Sequence, residues 1–207
     1  ITIDNGRIIF DITTPTTTYR QLVLNHTAPY NVENAVAAVA CATHYDINET
    51  DLRQGLATFE GIQRRFDIQV ATSKIIYIDD YAHHPAELET TIHSVRQLYP
   101  SKHITGIFQP HLYSRTRDFY QEFAEALSLL DDVAIVDIYP ARENPIPGIT
   151  SQLIYDRLRP GIKKEMCHKE DIPSIVRRRD FDVLVTLGAG DIEDYATQIT
   201  DILNTEH

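Results

Sequence analysis

Polar and ionisable side chains are concentrated directly after the apolar, β-branched run at residues 75–78. Five of the next six residues are polar or ionisable: Asp79, Asp80, Tyr81, His83 and His84. The run before them has the composition of a buried strand, and Pro85 begins a segment whose apolar residues recur at a helical spacing. Strand, polar turn and helix in this order predict a crevice at the carboxyl end of a strand, where open α/β sheets bind ligands.

The sequence leaves three interpretations of these polar residues open. Asp79 and Asp80 are neighbours on a strand, so we expect their side chains on opposite faces, with at most one of them in the crevice. Asp80, His83 and His84 are suited to binding Mn²⁺ or Zn²⁺, as in a metal-dependent hydrolase. Alternatively, the histidines contact a polar substrate, or one of them caps the helix and the other bonds a strand-end carbonyl.

A second polar turn, QPHLYSRTR, follows the next predicted strand. Among its polar side chains are His111, Tyr113, Ser114, Arg115 and Arg117. Arginine is suited to bidentate binding of carboxylate or phosphate, although Arg117 is also placed to pair with Glu122 on the helix surface. Because the two polar turns end consecutive strands, we expect them to border one pocket.

Two further segments carry weaker signals. In QRRF at residues 63–66, one arginine is expected to reach a ligand while its neighbour is solvated, because adjacent strand residues face opposite ways. In LGAGD at residues 187–191, a tight turn with Asp191 as a helix N-cap is favoured over a phosphate-binding loop, since the third glycine of GxGxxG is missing. The sequence contains no GxxxxGK[ST] motif, so the chain has no P-loop of its own.

Strand and helix patterns alternate from residue 65 onwards, and this alternation predicts how the polar turns are held. The predicted strands are FDIQVA, KIIYIDD, HITGIFQ, VAIVDIY, IKKEM and VLVTLG, and the predicted helices are 85–98, 115–130, 150–158, 171–178 and 191–203. The predicted fold class is therefore α/β, a Rossmann-like, mostly parallel sheet with helices on both faces. Because the first two strands are separated by only Thr72 and Ser73, they are expected to form an antiparallel hairpin at one edge.

Residues 1–60 follow a different pattern and are expected to form a separate unit. Two or three strands, with a hairpin turn at Asn5-Gly6, precede an alanine-rich helix with Asn31 as its N-cap. A second helix over residues 49–59 closes this part. The stretch is too short and irregular for a complete domain, so we expect it to be the end of a larger one, with a boundary near residue 60.

The composition argues against two classes of function. The chain has 207 residues, of which 43% are hydrophobic and 24% charged, and its formal net charge is −11. No run approaches the roughly 20 apolar residues that membrane insertion requires, and an acidic surface is unsuited to general nucleic-acid binding. Cys41 and Cys167 lie far apart in sequence and are predicted to be buried, reduced thiols of a cytoplasmic protein.

Several stretches of the sequence, in this order, resemble the ATP-dependent Mur ligases of bacterial peptidoglycan synthesis: FEGIQRRFD, IDDYAHHPAE, IFQPHLYSRT, ARENPIPGITS and LGAGDI. The stretch APYNVENAVAA is similar to one at the end of the family's central domain. The resemblance implies a C-terminal Rossmann-like domain over residues 61–207, preceded over residues 1–60 by the last part of the central ATP-binding domain. QPHLYSRT fits the alanine-adding members better than the tripeptide-recycling ones, which remain an alternative, as does a non-catalytic α/β ligand-binding domain.

The resemblance also implies a reaction and a set of binding residues. ATP with Mg²⁺ would phosphorylate the carboxylate of UDP-N-acetylmuramate, and the amine of L-alanine would attack the resulting acyl phosphate. Four residues would contact the nucleotide: Asn31, Asn34, Arg65 and Asp80. Four residues would face the muramate and the amino acid: Tyr81, His83, His111 and Arg115. No catalytic residue and no metal ligand is assigned within this chain.

The sequence departs from the family pattern at two positions. Tyr30 stands where relatives have histidine before the first asparagine, and Leu112 stands where relatives often have arginine, which removes one cationic substrate contact. The P-loop and the uridine-binding domain of these enzymes are expected in other parts of the same polypeptide. We therefore predict that the 207-residue chain folds by itself but does not catalyse.

Overall fold

The structure, a computed structural model that describes residues 1–4, 7–25 and 28–206, contains a three-stranded and a six-stranded sheet. The strands are β1 (Thr2–Asp4), β2 (Arg7–Thr13), β3 (Thr18–Asn25), β4 (Asp67–Ala71), β5 (Ile76–Asp80), β6 (Ile104–Phe108), β7 (Asp132–Val136), β8 (Lys163–Cys167) and β9 (Val183–Leu187). The α-helices are α1 (Asn31–His44), α2 (Glu49–Ala57), α3 (Pro85–Leu98), α4 (Tyr113–Leu127), α5 (Gln152–Tyr155), α6 (Ile172–Arg178) and α7 (Ala196–Glu206). Short 3-10 helices, Lys169–Asp171 and Asp191–Tyr195, precede α6 and α7.

The six-stranded sheet has the order β4-β5-β9-β6-β7-β8. β4 pairs antiparallel with β5 at one edge, and β5, β9, β6, β7 and β8 are parallel to one another. The predicted mostly parallel sheet with an antiparallel edge hairpin is thereby confirmed. The chain passes from β5 to β6 through α3, and β9 later fills the position between these two strands. The carboxyl ends of β5, β9 and β6 therefore lie side by side.

Helices cover both faces of this sheet, as predicted. On one face, Ile78 and Phe108 belong to a core that also contains residues of α3, α4 and α5. On the other face, Tyr77 and Ile107 pack into a second core with residues of α6 and α7. Alternate residues of each central strand thus enter different cores. This explains why the central strands read as continuous apolar runs rather than as alternating patterns.

The first sheet forms a separate unit with α1 and α2. Its strands are antiparallel in the order β1-β2-β3, and they share a core with both helices that includes Phe10, Leu22, Val39 and Leu52. The turn predicted at Asn5-Gly6 lies outside the described residues. The assignment of this unit to a central ATP-binding domain remains a prediction.

Several predictions about the ends and sides of helices are wrong. Asn31 is the first residue of α1, and Tyr30 occupies the N-cap position without a side-chain cap bond. The predicted helix 150–158 shortens to Gln152–Tyr155, because the chain beyond it tightens into 3-10-type turns, in which the N–H of Arg157 donates to the carbonyl oxygen of Ile154 at 3.1 Å. Cys41 is exposed, because α1 buries only its opposite side, whereas Cys167 is buried as predicted.

Within the described ranges, no helix combines the length and the apolar character needed to cross a membrane.

Candidate functional site

The two polar turns meet at the carboxyl edge of the six-stranded sheet. The ring centres of Tyr81 and His83 lie 5.0 Å apart, and those of His83 and His111 lie 5.9 Å apart. Arg115 Nη1 donates a long hydrogen bond of 3.4 Å to the carbonyl oxygen of His83. The structure thus brings together the four residues predicted to face the muramate and the amino acid, although β9 separates the two strands from which they come.

One cavity adjoins this cluster, and a second cavity shares Arg65 with the first. The first, about 380 Å³, lies over the start of α3 and is lined in part by Tyr30, Arg65, Asp80, Tyr81 and His83. The second, about 700 Å³, lies between α1 and α2, and its polar lining includes Asn31, Asn34 and Arg65. Arg65 borders both cavities. Two of the residues predicted to face the muramate and the amino acid, Tyr81 and His83, line the first cavity, and two of the predicted nucleotide residues, Asn31 and Asn34, line the second.

Asp80 joins the first cavity to the turn that carries the arginines. It is buried, and its two carboxylate oxygens accept the backbone N–H groups of Phe66 and Ala82, each at 2.7 Å. Burial raises the pKa of Asp80 to about 6, an effect that the two backbone hydrogen bonds oppose. The bond to Phe66 supports a strained turn, since Arg64 and Phe66 both have positive φ values, 59° and 51°.

Asp79 lies on the opposite face of β5, as the strand period predicts. It accepts a hydrogen bond of 2.6 Å from the Thr186 hydroxyl, and Arg64 Nε donates to it at 3.3 Å. Arg64 Nη2 also donates to the carbonyl oxygen of Gly188 at 2.6 Å. Arg64 is therefore the structural arginine of the pair, and Arg65 is the exposed one beside the cavities. They lie in a turn rather than on the predicted strand start, so the strand argument did not apply to them.

The two adjacent histidines have different environments. His83 Nδ1 donates to the carbonyl oxygen of Tyr81 at 2.9 Å. His84 occupies the N-cap position of α3, and its ring packs edge-on against Phe119 with ring centres 5.0 Å apart. The Glu87 carboxylate accepts both of their backbone N–H groups. This agrees with the interpretation in which one histidine stands at the helix cap and the other bonds a nearby carbonyl. Among the described residues, no three His, Cys, Asp or Glu side chains form a group that could hold a metal ion.

Arg115 carries a positive charge in the cluster, whereas the surroundings of His111 favour its neutral form. Burial, together with the nearby Arg115 and His83, lowers the pKa of His111. Its Nδ1 atom is buried and finds no hydrogen-bond partner within the described part of the chain. No acidic side chain in that part forms an ion pair with Arg115. Arg117 pairs with its neighbour Asp118 at 2.7 Å, so the pairing of Arg117 with Glu122 considered from the sequence is not formed. Arg115 is therefore the arginine of this turn available to a ligand carboxylate.

The Gly-rich turn after β9 packs against protein instead of forming a phosphate cradle. A Cβ on Gly188 would lie 2.7 Å from the carbonyl oxygen of Gln109, and one on Gly190 would collide with Gln109 Oε1. Gln109 Nε2 donates to Asp191 at 2.7 Å, and Gln109 Oε1 accepts the N–H of Ile192 at 3.0 Å. A tight turn is thus correct, but Gly190 holds the N-cap position and Asp191 begins the 3-10 helix.

Sequence reasoning missed three residues that shape the site: Gln109, Tyr139 and Glu143. The Tyr139 ring stacks on His111 with ring centres 5.7 Å apart, and Glu143 accepts the backbone N–H of Ser114 at 2.9 Å. The only available signal was their position, since Gln109 opens the second polar turn and the other two lie in or beside ARENPIPGITS. Their partners are distant in sequence, so no local pattern shows these contacts.

Comparison with known proteins agrees with the fold and the motifs. The family described as Mur ligase, glutamate ligase domain, matches residues 64–190. The chain therefore belongs to the Mur ligase family. It is 51% identical over 204 residues to a UDP-N-acetylmuramate–L-alanine ligase of Phocaeicola vulgatus, a match that covers 99% of this chain and 44% of the relative. A ligase of the same name from Porphyromonas gingivalis is 47% identical over 206 residues, and this match covers 99% of this chain and 45% of the relative.

A solved structure of the same kind supports this placement. The UDP-N-acetylmuramate–alanine ligase of Thermotoga maritima matches with a TM-score of 0.75 and 25% identity, covering 91% of this chain and 41% of that one. The chain thus spans less than half the length of the relatives that it matches.

Proposed function

We propose that this chain is part of an ATP-dependent ligase that joins L-alanine to UDP-N-acetylmuramate in bacterial peptidoglycan synthesis, in the cytoplasm. The observation that carries the proposal is the convergence of Tyr81, His83, His111 and Arg115 beside a cavity that the first two of them line, in a chain of the Mur ligase family. The names of relatives that are 47–51% identical give the proposed substrates.

Arg115 is the proposed binding residue for the carboxylate of the incoming amino acid. Its guanidinium has no acidic partner among the described residues, and guanidinium and carboxylate match in geometry as well as in charge. His111 beside it has a lowered pKa and stays neutral at pH 7, so it adds no second positive charge that would repel an ammonium group. Tyr81 and His83 close the other side of the cluster towards the muramate.

The cavity between α1 and α2 fits the base and ribose of a nucleotide. Its volume is about 700 Å³, and mostly apolar walls with a few polar groups are typical of small-molecule sites. Asn31 and Asn34 would contact the adenine there. Arg65, which borders both cavities, and Asp80, which lines the first one, would contact the rest of the nucleotide. ATP with Mg²⁺ would supply the phosphoryl group that activates the muramate carboxylate as an acyl phosphate. No residue of this chain is assigned to Mg²⁺.

We also propose that this chain alone has no ligase activity. Phosphoryl transfer depends on cationic groups and Mg²⁺ around the phosphates, and the 207 residues include no P-loop. The remaining contacts are proposed to come from other parts of the same polypeptide.

The test is phosphate release by the whole ligase with UDP-N-acetylmuramate, ATP and Mg²⁺, with and without L-alanine. We expect alanine-dependent release that falls at least about a hundredfold in Arg115→Ala, since a charge-assisted contact is lost. His83→Ala should lower it as well. Arg117→Ala is the matched control, because this arginine lies two residues further along α4 and pairs with Asp118.

Each outcome assigns the site differently. Loss of activity in both variants but not in the control supports an amino-acid site at this edge. Full activity in Arg115→Ala would contradict the site while leaving the family membership unaffected. A folded wild-type ligase that releases phosphate with a tripeptide but not with L-alanine would favour the recycling reaction instead.

A further inference from the structure

Helix α4, which carries Arg115, begins without a capping side chain of its own. The N-cap position is occupied by Leu112, which is apolar and has φ 72° and ψ 135°. A helix N-terminus leaves four backbone N–H groups without partners inside the helix, and a polar N-cap side chain usually satisfies one of them. Leucine provides no acceptor, and its positive φ is strained for a residue with a side chain.

Glu143 provides the missing acceptor from another part of the chain. Its Oε2 accepts the backbone N–H of Ser114 at 2.9 Å, and its Oε1 accepts the Ser114 hydroxyl. Both hydrogen bonds lower the pKa of Glu143, so the carboxylate is charged at pH 7. A negative charge at this end of a helix also interacts favourably with the helix dipole.

The same segment holds the residues that precede α4. Tyr139 stacks on the ring of His111 at an interplanar angle of 25°. Its backbone N–H donates to the carbonyl of Pro110 at 2.8 Å, and its carbonyl accepts the N–H of Leu112 at 3.0 Å. Glu143 N–H closes the segment by donating to the carbonyl of Pro140 at 2.9 Å. Residues 110–114 are therefore fixed by residues 139–143 along their whole length.

We propose that Glu143 is a positioning residue of the amino-acid site. Its carboxylate caps α4 in place of a local N-cap and thereby holds His111 and Arg115 in register with each other. Within the described part of the chain, no hydrogen bond joins the Glu143 carboxylate to His111 or Arg115, so Glu143 acts through Ser114 and the start of the helix. The identity of the substrate rests on the proposed function, but the capping role does not.

The capping role is tested by amide hydrogen exchange on the 207-residue chain. In Glu143→Ala, we expect the amides of residues 113–116 to exchange about tenfold faster, because the acceptor of Ser114 is lost, while those of α3 are unchanged. Glu143→Gln keeps one oxygen acceptor and should stay within about threefold of wild type. Glu122→Ala is the matched control, an exposed glutamate on the same helix. Unchanged exchange at residues 113–116 in Glu143→Ala would overturn the proposal.

The positioning role is tested on the whole ligase by steady-state kinetics. Glu143→Ala should raise the KM for L-alanine about tenfold, with the KM for ATP within about twofold of wild type, and Glu143→Gln should restore most of the loss. A lower Tm with an unchanged KM for L-alanine would reduce Glu143 to a purely structural cap and overturn the positioning role. A wild-type ligase without alanine-dependent turnover would overturn the proposed function instead, and the exchange data would then decide the role of Glu143 alone.

Discussion

At the scale of single residues, Asp80 connects the two units of the chain. Its carboxylate fixes Phe66 and Ala82, and its charge, second to burial, helps to raise the pKa of Tyr30 to about 12. Tyr30 in turn packs edge-on against Phe66, with ring centres 6.5 Å apart. A residue predicted to contact a nucleotide therefore also organises the turn on which Arg65 stands.

The titration of Asp80 should show its burial directly. Its pKa of about 6 in the folded chain exceeds the roughly 3.9 of an unfolded aspartate, so the folded state binds the proton more tightly. The contribution of Asp80 to stability is therefore present below about pH 4 and decreases, by on the order of 3 kcal/mol, as the pH rises to about 6. Carboxyl ¹³C NMR of the chain measures this titration. A midpoint for Asp80 below 4 would contradict the prediction.

Sequence reasoning at this scale succeeded where a simple period applied. The twofold period of a strand correctly separated Asp79 from Asp80, and the spacing of turns correctly brought His83 near His111. It did not distinguish Arg64 from Arg65, because a turn with positive φ sets their directions. The roles of the predicted binding residues still require the variants described above.

At the scale of elements, the turn between β9 and the following 3-10 helix tolerates no side chain at Gly190. An added Cβ would lie 2.7 Å from Tyr139 Cβ and even closer to Gln109 Oε1. We expect Gly190→Ala to lower the free energy of unfolding by about 1–3 kcal/mol, as overpacking does. The measurement is urea denaturation of the 207-residue chain.

Gly55→Ala is the matched control for this substitution. Gly55 lies in α2, and an added Cβ meets no atom within 4 Å. Alanine is favoured over glycine in a helix by about 1 kcal/mol, so this variant should be at least as stable as wild type. Equal stability of the Gly190 and Gly55 variants would show that the turn can move to accept a side chain.

Elements were predictable from periodicity, but their order in the sheet was not. The bounds of α3 agree with the predicted helix 85–98, because Pro85 and the apolar spacing both mark it. The position of β9 between β5 and β6 depends on pairing between residues about 80–110 positions apart, which no local pattern records. The cap from Glu143 escaped notice for the same reason.

At the scale of the whole molecule, this chain should bind ATP weakly by itself. The cavities beside Arg65 are proposed to hold only part of a nucleotide, and the 207 residues include no P-loop for the phosphates. A loss of about 4 kcal/mol weakens binding about a thousandfold. Isothermal titration of the chain with ATP and Mg²⁺ should therefore detect no micromolar affinity, whereas the whole ligase serves as the positive control. A micromolar dissociation constant for the chain would contradict the prediction.

The central position of β9 also has a consequence for biosynthesis. Protein synthesis proceeds from the N-terminus, so β4 to β8 leave the ribosome before the strand that joins them. Until residues 183–187 emerge, β5 and β6 lack the neighbour with which both pair, and their open edges are available for wrong pairing. The two halves of the sheet can unite only once Val183–Leu187 has been synthesised. A premature stop codon upstream of Val183 would therefore remove the middle of the sheet rather than its edge, and the nascent chain would become a substrate for chaperones and proteases.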